Sequence, residues 1–116
     1  MTTISKDVGR CDLLLHRSCD ERVGVRWLQD RQDGRGYVPV DLSSWEATLT
    51  LLSPLGTTWG TWPCTCTDNG YAYARIGGAD TSGSEWLARA SGSWRIDASG
   101  PDGERELLGW GYFSMS

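Results

Sequence analysis

Apolar and polar residues alternate along this chain in short runs separated by turn-forming residues, and no other feature constrains the fold as strongly. A β-strand turns successive side chains to opposite faces, so period-two alternation marks strands with one buried and one wet face. In residues 11–16, Cys11, Leu13 and Leu15 share a face; in 23–28, Val23, Val25 and Trp27 point one way while Gly24 and Arg26 point the other. A short strand over 37–42 contains Pro39, which has no N–H to donate to a ladder and so belongs at an edge or in a short strand. Residues 45–52 set Ala47, Leu49 and Leu51 against Glu46, Thr48 and Thr50. Residues 57–65 and 71–76 flank Asp68-Asn69-Gly70, whose Asn-Gly pair favours a two-residue hairpin turn. Further on, Trp94, Ile96 and Ala98 share a face of 93–98, and Leu108, Trp110 and Tyr112 share a face of 104–114.

Helical spacing is weak except over residues 79–89, where Asp80-Thr81-Ser82 can cap a short helix or 3₁₀ turn on a crossing loop. The polar, glycine-bearing stretch 30–36 predicts a mobile hairpin tip, and Ser53-Pro54-Leu55-Gly56 and Pro101-Asp102-Gly103 predict turns. Seven or eight short strands with such punctuation predict an all-β fold, an immunoglobulin-like antiparallel β-sandwich with one short helix in a crossing loop. A length of 116 residues supports one core. Residues 1–10 read as a polar N-terminal arm and 11–116 as the sandwich domain.

Composition argues against several functions. The net charge is −4 and the basic residues are scattered, which disfavours nucleic-acid binding. No run approaches 18 apolar residues, so no membrane association is expected, and the polar first ten residues lack the apolar core of a signal peptide, pointing to folding in a cytoplasm. His16 is the single histidine and no Gly-x-Ser-x-Gly elbow is present, so a nucleophilic triad has no base and the chain reads as non-enzymatic. Gly77-Gly78 lacks the lysine of a phosphate loop, and the acidic turns lack the ligand run of a calcium loop, so neither cofactor nor metal is expected. Cys64 and Cys66 are too close in sequence for an unstrained mutual disulfide. Buried free thiols are the simplest reading of the four cysteines, with a bridge from Cys19 to Cys64 or Cys66 as the alternative in an oxidising medium.

Seven tryptophans are many for this length. Trp27, Trp94 and Trp110 occupy apolar positions of strands and read as core. Trp59 and Trp62 have opposite parity, so a regular strand would expose one of them at an interface or a sugar-stacking platform, whereas a bulge would bury both. The arm, with Thr2, Thr3 and Ile4, is a candidate donor strand for an open sheet edge. These five residues are the candidate interface.

The ordered motifs resemble the LtfC-like β-sandwich family of tailed-bacteriophage virion proteins, similar in pattern to the N-terminal domain of phage baseplate upper proteins. Asp12-Leu13-Leu14-Leu15-His16-Arg17 looks like the family's opening strand and Arg22-Val23-Gly24-Val25-Arg26-Trp27 like its second. Pro39-Val40-Asp41-Leu42-Ser43-Ser44-Trp45 matches the family's entry to the third strand. Residues 70–76, Gly92-Ser93-Trp94-Arg95-Ile96-Asp97, Asp102-Gly103 and Leu108-Gly109-Trp110-Gly111 complete the order over 11–114. The segment 30–36 and the cysteines have no counterpart in that pattern. The resemblance implies a structural protein of a virion, folded in the bacterial host cytoplasm. It would be a minor tail, collar or baseplate adapter, present in multiple copies and bound to other virion proteins through sheet edges, loops and the arm. A capsid decoration protein on the major capsid protein is the alternative within that class. A carbohydrate-binding module using exposed tryptophan is the alternative outside it.

Overall fold

The computed structural model describes residues 10–30, 34 and 36–116. Among these, ten strands follow in order: β1 (Leu13–Leu15), β2 (Glu21–Arg26), β3 (Leu28–Asp30), β4 (Tyr37–Pro39), β5 (Glu46–Leu52), β6 (Thr58–Pro63), β7 (Thr65–Cys66), β8 (Tyr71–Ile76), β9 (Ser91–Ser99) and β10 (Arg105–Met115). Four of them are only two or three residues long, which accounts for the excess over seven or eight. A five-stranded sheet in the order β1-β10-β9-β5-β6 packs on a three-stranded sheet in the order β2-β8-β7, and β3 pairs with β4 as a separate hairpin. This is the immunoglobulin-like arrangement, with β2, β8 and β7 in one layer and β5, β9 and β10 in the other.

One pairing is parallel, where an antiparallel sandwich was expected throughout. Leu13 to Leu15 run beside Phe113 to Met115 in the same direction. After β1 the chain turns through Ser18, whose φ is 61°, and crosses to the other sheet as β2. Because β1 is therefore not joined to β10 by a hairpin, nothing forces the pair to be antiparallel.

The core joins Leu49 and Leu51 of β5, Trp94 and Ile96 of β9, and Phe113 and Met115 of β10 to Val23 of β2 and Ala72, Ala74 and Ile76 of β8. Burying each large apolar side chain contributes about 1.5–3 kcal/mol. On β10 the inward phase is the reverse of the one its aromatics predict. Trp110 and Tyr112 stand opposite Arg95 and Ser93 on the outer face, while Gly109, Gly111 and Phe113 face in. The inward positions are crowded by the opposing sheet, the segment before β1 and Trp94, 2% exposed: a Cβ on Gly109 would run into the Val25 side chain and come within 3.2 Å of the Trp94 ring, and one on Gly111 would run into the Cys11 carbonyl and come within 2.8 Å of the Trp94 Nε1. That Nε1–H donates to the Cys11 carbonyl at 2.8 Å. Trp27, the third tryptophan read as core, is only half-buried and meets Trp45 edge to face at 5.5 Å.

Residues 57–65 do not form one strand. β6 pairs with β5, the chain changes sheets after Pro63, and only β7 pairs with β8. The loop before β8 has three residues, not two: the Thr67 N–H donates to the Tyr71 carbonyl at 2.9 Å, and Gly70 takes φ 84°. A turn followed by a left-handed glycine is the usual three-residue hairpin loop. The crossing loop holds two 3₁₀ turns, Gly78–Thr81 and Ser84–Ala88. All four cysteines are free, and Cys11 and Cys19 are exposed rather than buried because they lie in the segments before and after β1. Residues 31–33 and 35, in the stretch read as a mobile tip, and Thr2, Thr3 and Ile4 of the arm lie outside the described residues.

Candidate functional site

β8 reads Tyr-Ala-Tyr-Ala-Arg-Ile, and the alanines and the isoleucine face the core. Tyr71, Tyr73 and Arg75 therefore line the outer face of the three-stranded sheet, 44% and 36% exposed in the case of the tyrosines. On β2 the same alternation buries Val23 and turns Arg22, Gly24 and Arg26 outward. The antiparallel register places Arg22 opposite Arg75, Gly24 opposite Tyr73 and Arg26 opposite Tyr71. Three arginines and two tyrosines thus share one small face of an acidic chain.

Their geometry relieves the repulsion that two facing arginines would suffer. Arg75 turns away to Asp20, with its Nη2 at 2.6 Å from the carboxylate. The Gly78 N–H donates to the same carboxylate at 2.8 Å, and this bond, followed by Arg75, holds the Asp20 carboxyl below its ordinary range. Arg26 lies 4.7 Å over the Tyr71 ring, with its Nε–H on the Asn69 carbonyl at 3.1 Å, and Arg22 lies 6.0 Å from the Tyr73 ring. Among the described residues, no carboxylate pairs with Arg22 or Arg26. Stacking on a ring is worth about 0.5–1 kcal/mol at an exposed site and leaves most guanidinium N–H groups unused.

Gly24 completes the site by being small. A Cβ there would meet the Tyr73 Cβ at 2.8 Å, so the strands approach closely only with glycine at this position. The result is an open hollow of about 490 Å³ lined by Arg22, Gly24, Val25, Arg26, Tyr71 and Tyr73. Tyrosine and arginine are the side chains enriched at the energetic centres of protein interfaces, because each combines contact area with directional hydrogen bonding. Rings that hold the arginines in place also reduce the ordering cost of binding.

Trp59 and Trp62 lie elsewhere, at the β6 edge of the five-stranded sheet. A bulge between Leu51 and Leu52 shifts their register, and both indoles pack half-buried against the core. Trp59 meets Trp86 at 6.3 Å and Phe113 at 6.1 Å, with the Arg89 guanidinium 5.1 Å from its ring. Trp62 folds back over Gly60, and its Nε1–H donates to Asp80 at 2.9 Å. The structure therefore does not bring the two tryptophans to the Arg/Tyr face.

None of the residues of that face was singled out by sequence reasoning. The available signal was the size pattern of residues 71–75, where bulky residues alternate with alanine. Only knowing that the opposing sheet supplies the bulk of the core reveals that alanine is the inward phase. No protein-family model matches the chain, and no curated protein matches it.

Proposed function

We propose that this chain is a non-enzymatic structural protein of a tailed-phage virion that docks on neighbouring virion proteins through the outer face of its three-stranded sheet. The single observation that carries the docking role is the pair of arginines, Arg22 and Arg26, held over tyrosine rings beside the Gly24 hollow without a carboxylate partner among the described residues. The virion setting is supported by the order of strand motifs over residues 11–114. Sugar stacking has less in its favour, since Trp59 and Trp62 commit much of their ring surface to the core.

Mass spectrometry of purified particles tests the setting, and cross-linking from residues 22–26 and 71–75 identifies the neighbour. The chain is expected in several copies per particle, with incorporation lost in the Arg22→Glu/Arg26→Glu variant. Cross-links to the major capsid protein would make it a decoration protein; cross-links to tail, collar or baseplate proteins would make it an adapter. Abundance in infected cells combined with absence from particles would overturn the virion reading.

A further inference from the structure

We propose that the Arg/Tyr face receives a second copy of this chain, through the acidic turn between β9 and β10. This inference rests on the docking reading above and names the partner of the same face. One chain carries both halves of the contact. On the face, Asp20 is occupied by Arg75 and Glu21 is turned to His16, with their side chains 2.9 Å apart, so the charges of Arg22 and Arg26 are left over. The opposite sign collects in the turn over residues 101–105, where Asp102 and Glu104 are both exposed and outnumber Arg105.

Shape follows charge. The turn is a closed, projecting hairpin end: the Gly100 N–H donates to the Glu104 carbonyl and the Asp102 N–H to the Glu104 side chain, each at 2.9 Å, and Gly103 takes φ 83°. Residues 101–105 are all exposed. The Arg/Tyr face is a hollow with an apolar floor. Guanidinium groups fit carboxylates through paired N–H groups, and tyrosine rings give the Pro101 ring a surface to rest on. Because the hollow lies on one sheet and the turn at the end of the other, each copy presents both halves of the contact, which can repeat head to tail or be made twice about a two-fold axis.

Sedimentation velocity on the full chain, from micromolar to millimolar at low salt, tests the contact. The wild type is expected to gain weight-average mass with concentration and to lose it on adding salt. Arg22→Glu/Arg26→Glu and Asp102→Lys/Glu104→Lys should each weaken association by roughly tenfold or more, and an equimolar mixture of the two variants should regain it, because each then offers the other a complementary patch. Near-UV circular dichroism checks that the variants fold, and the milder Arg22→Gln/Arg26→Gln pair should weaken association in the same direction. A wild type that stays monomeric throughout would overturn the inference, as would association indifferent to the turn reversal, which would place the contact elsewhere on the chain. A monomeric wild type that still enters particles, and loses entry on Arg22→Glu/Arg26→Glu, would remove this inference alone and leave the docking function standing. Self-association that follows the charge swap in a chain absent from particles would uphold the contact and remove the virion setting.

Discussion

β8 and β9 are both full period-two strands, yet they distribute side-chain bulk in opposite senses. β9 turns Trp94 and Ile96 inward and Ser91, Ser93, Arg95, Asp97 and Ser99 outward. β8 turns Ala72 and Ala74 inward and two tyrosines outward. Their arginines differ as well. Arg95 is forked onto Asp97 two residues away, at 2.7 and 3.1 Å, which raises its pKa further, whereas Arg22 and Arg26 rest on rings. β9 fills the core and pairs off its outward charge; β8 needs little bulk inside and, with β2, keeps its aromatics and its charge for the outside. Alternation thus identifies two faces, but which face is inward depends on how much volume the opposing sheet already supplies.

The widest test of this contrast sets one strand against the other. Trp94→Ala should cost about 3–5 kcal/mol in urea unfolding, from the cavity and the loss of the Cys11 hydrogen bond, while Tyr73→Ala should cost no more than about 1 kcal/mol. Equal losses would erase the distinction. Gly24→Ala should follow at about 1–3 kcal/mol, because the new methyl group meets Tyr73 next to the backbone, where little can yield.

Acid titration sharpens the comparison further. The fork from Arg10 and then the Tyr112 N–H depress the Asp12 carboxyl beside the five-stranded sheet, as Gly78 and Arg75 depress Asp20 beside the other. A carboxyl lowered by folding adds stability above its unfolded pKa, about 3.9, and loses that contribution as pH falls through the folded value. Stability measured by urea melts should therefore decline with acidity below about pH 5. Asp12→Asn and Asp20→Asn should each flatten that decline.

The smallest expected effect is one of reactivity. Burial pushes the Cys64 thiol up to about 11, and raises Cys66 as well, while Cys11 and Cys19 are exposed. Mass spectrometry after brief alkylation at mildly alkaline pH should find Cys11 and Cys19 modified before Cys64. Early modification of Cys64 would mean that the β6–β7 crossing opens readily.

Much of the sandwich was legible in the sequence because alternation is a local property. Val23 buried beside outward Gly24 and Arg26, and Ala47, Leu49 and Leu51 buried in β5, follow directly from it. The misread elements depend on partners distant in the chain. Trp110 and Tyr112 looked inward until Val25, Cys11 and Trp94 were placed against Gly109 and Gly111, and residues 57–65 looked like one strand because the sheet change at Pro63 carries no periodic signal. The candidate site was missed for the same reason. Arg22, Arg26, Tyr71 and Tyr73 become neighbours only through the register of β2 and β8, and single exposed aromatics draw no notice in a sequence.

The parallel seam between β1 and β10 also has a mechanical meaning. The chain enters along β1 and leaves along β10, and the seam is held by the Cys11 N–H on the Trp110 carbonyl and the Ser116 N–H on the Leu15 carbonyl, each at 3.0 Å, and by the Arg17 N–H on the Ser116 carbonyl at 2.8 Å. Tension applied between residues 10 and 116 pulls these neighbours past one another along their length. The bonds are then loaded in shear and must fail together rather than unzip singly. In single-molecule pulling, Leu15→Pro, which removes an N–H beside this seam, should lower the rupture force. A sandwich threaded in this way is expected to resist being drawn out end to end.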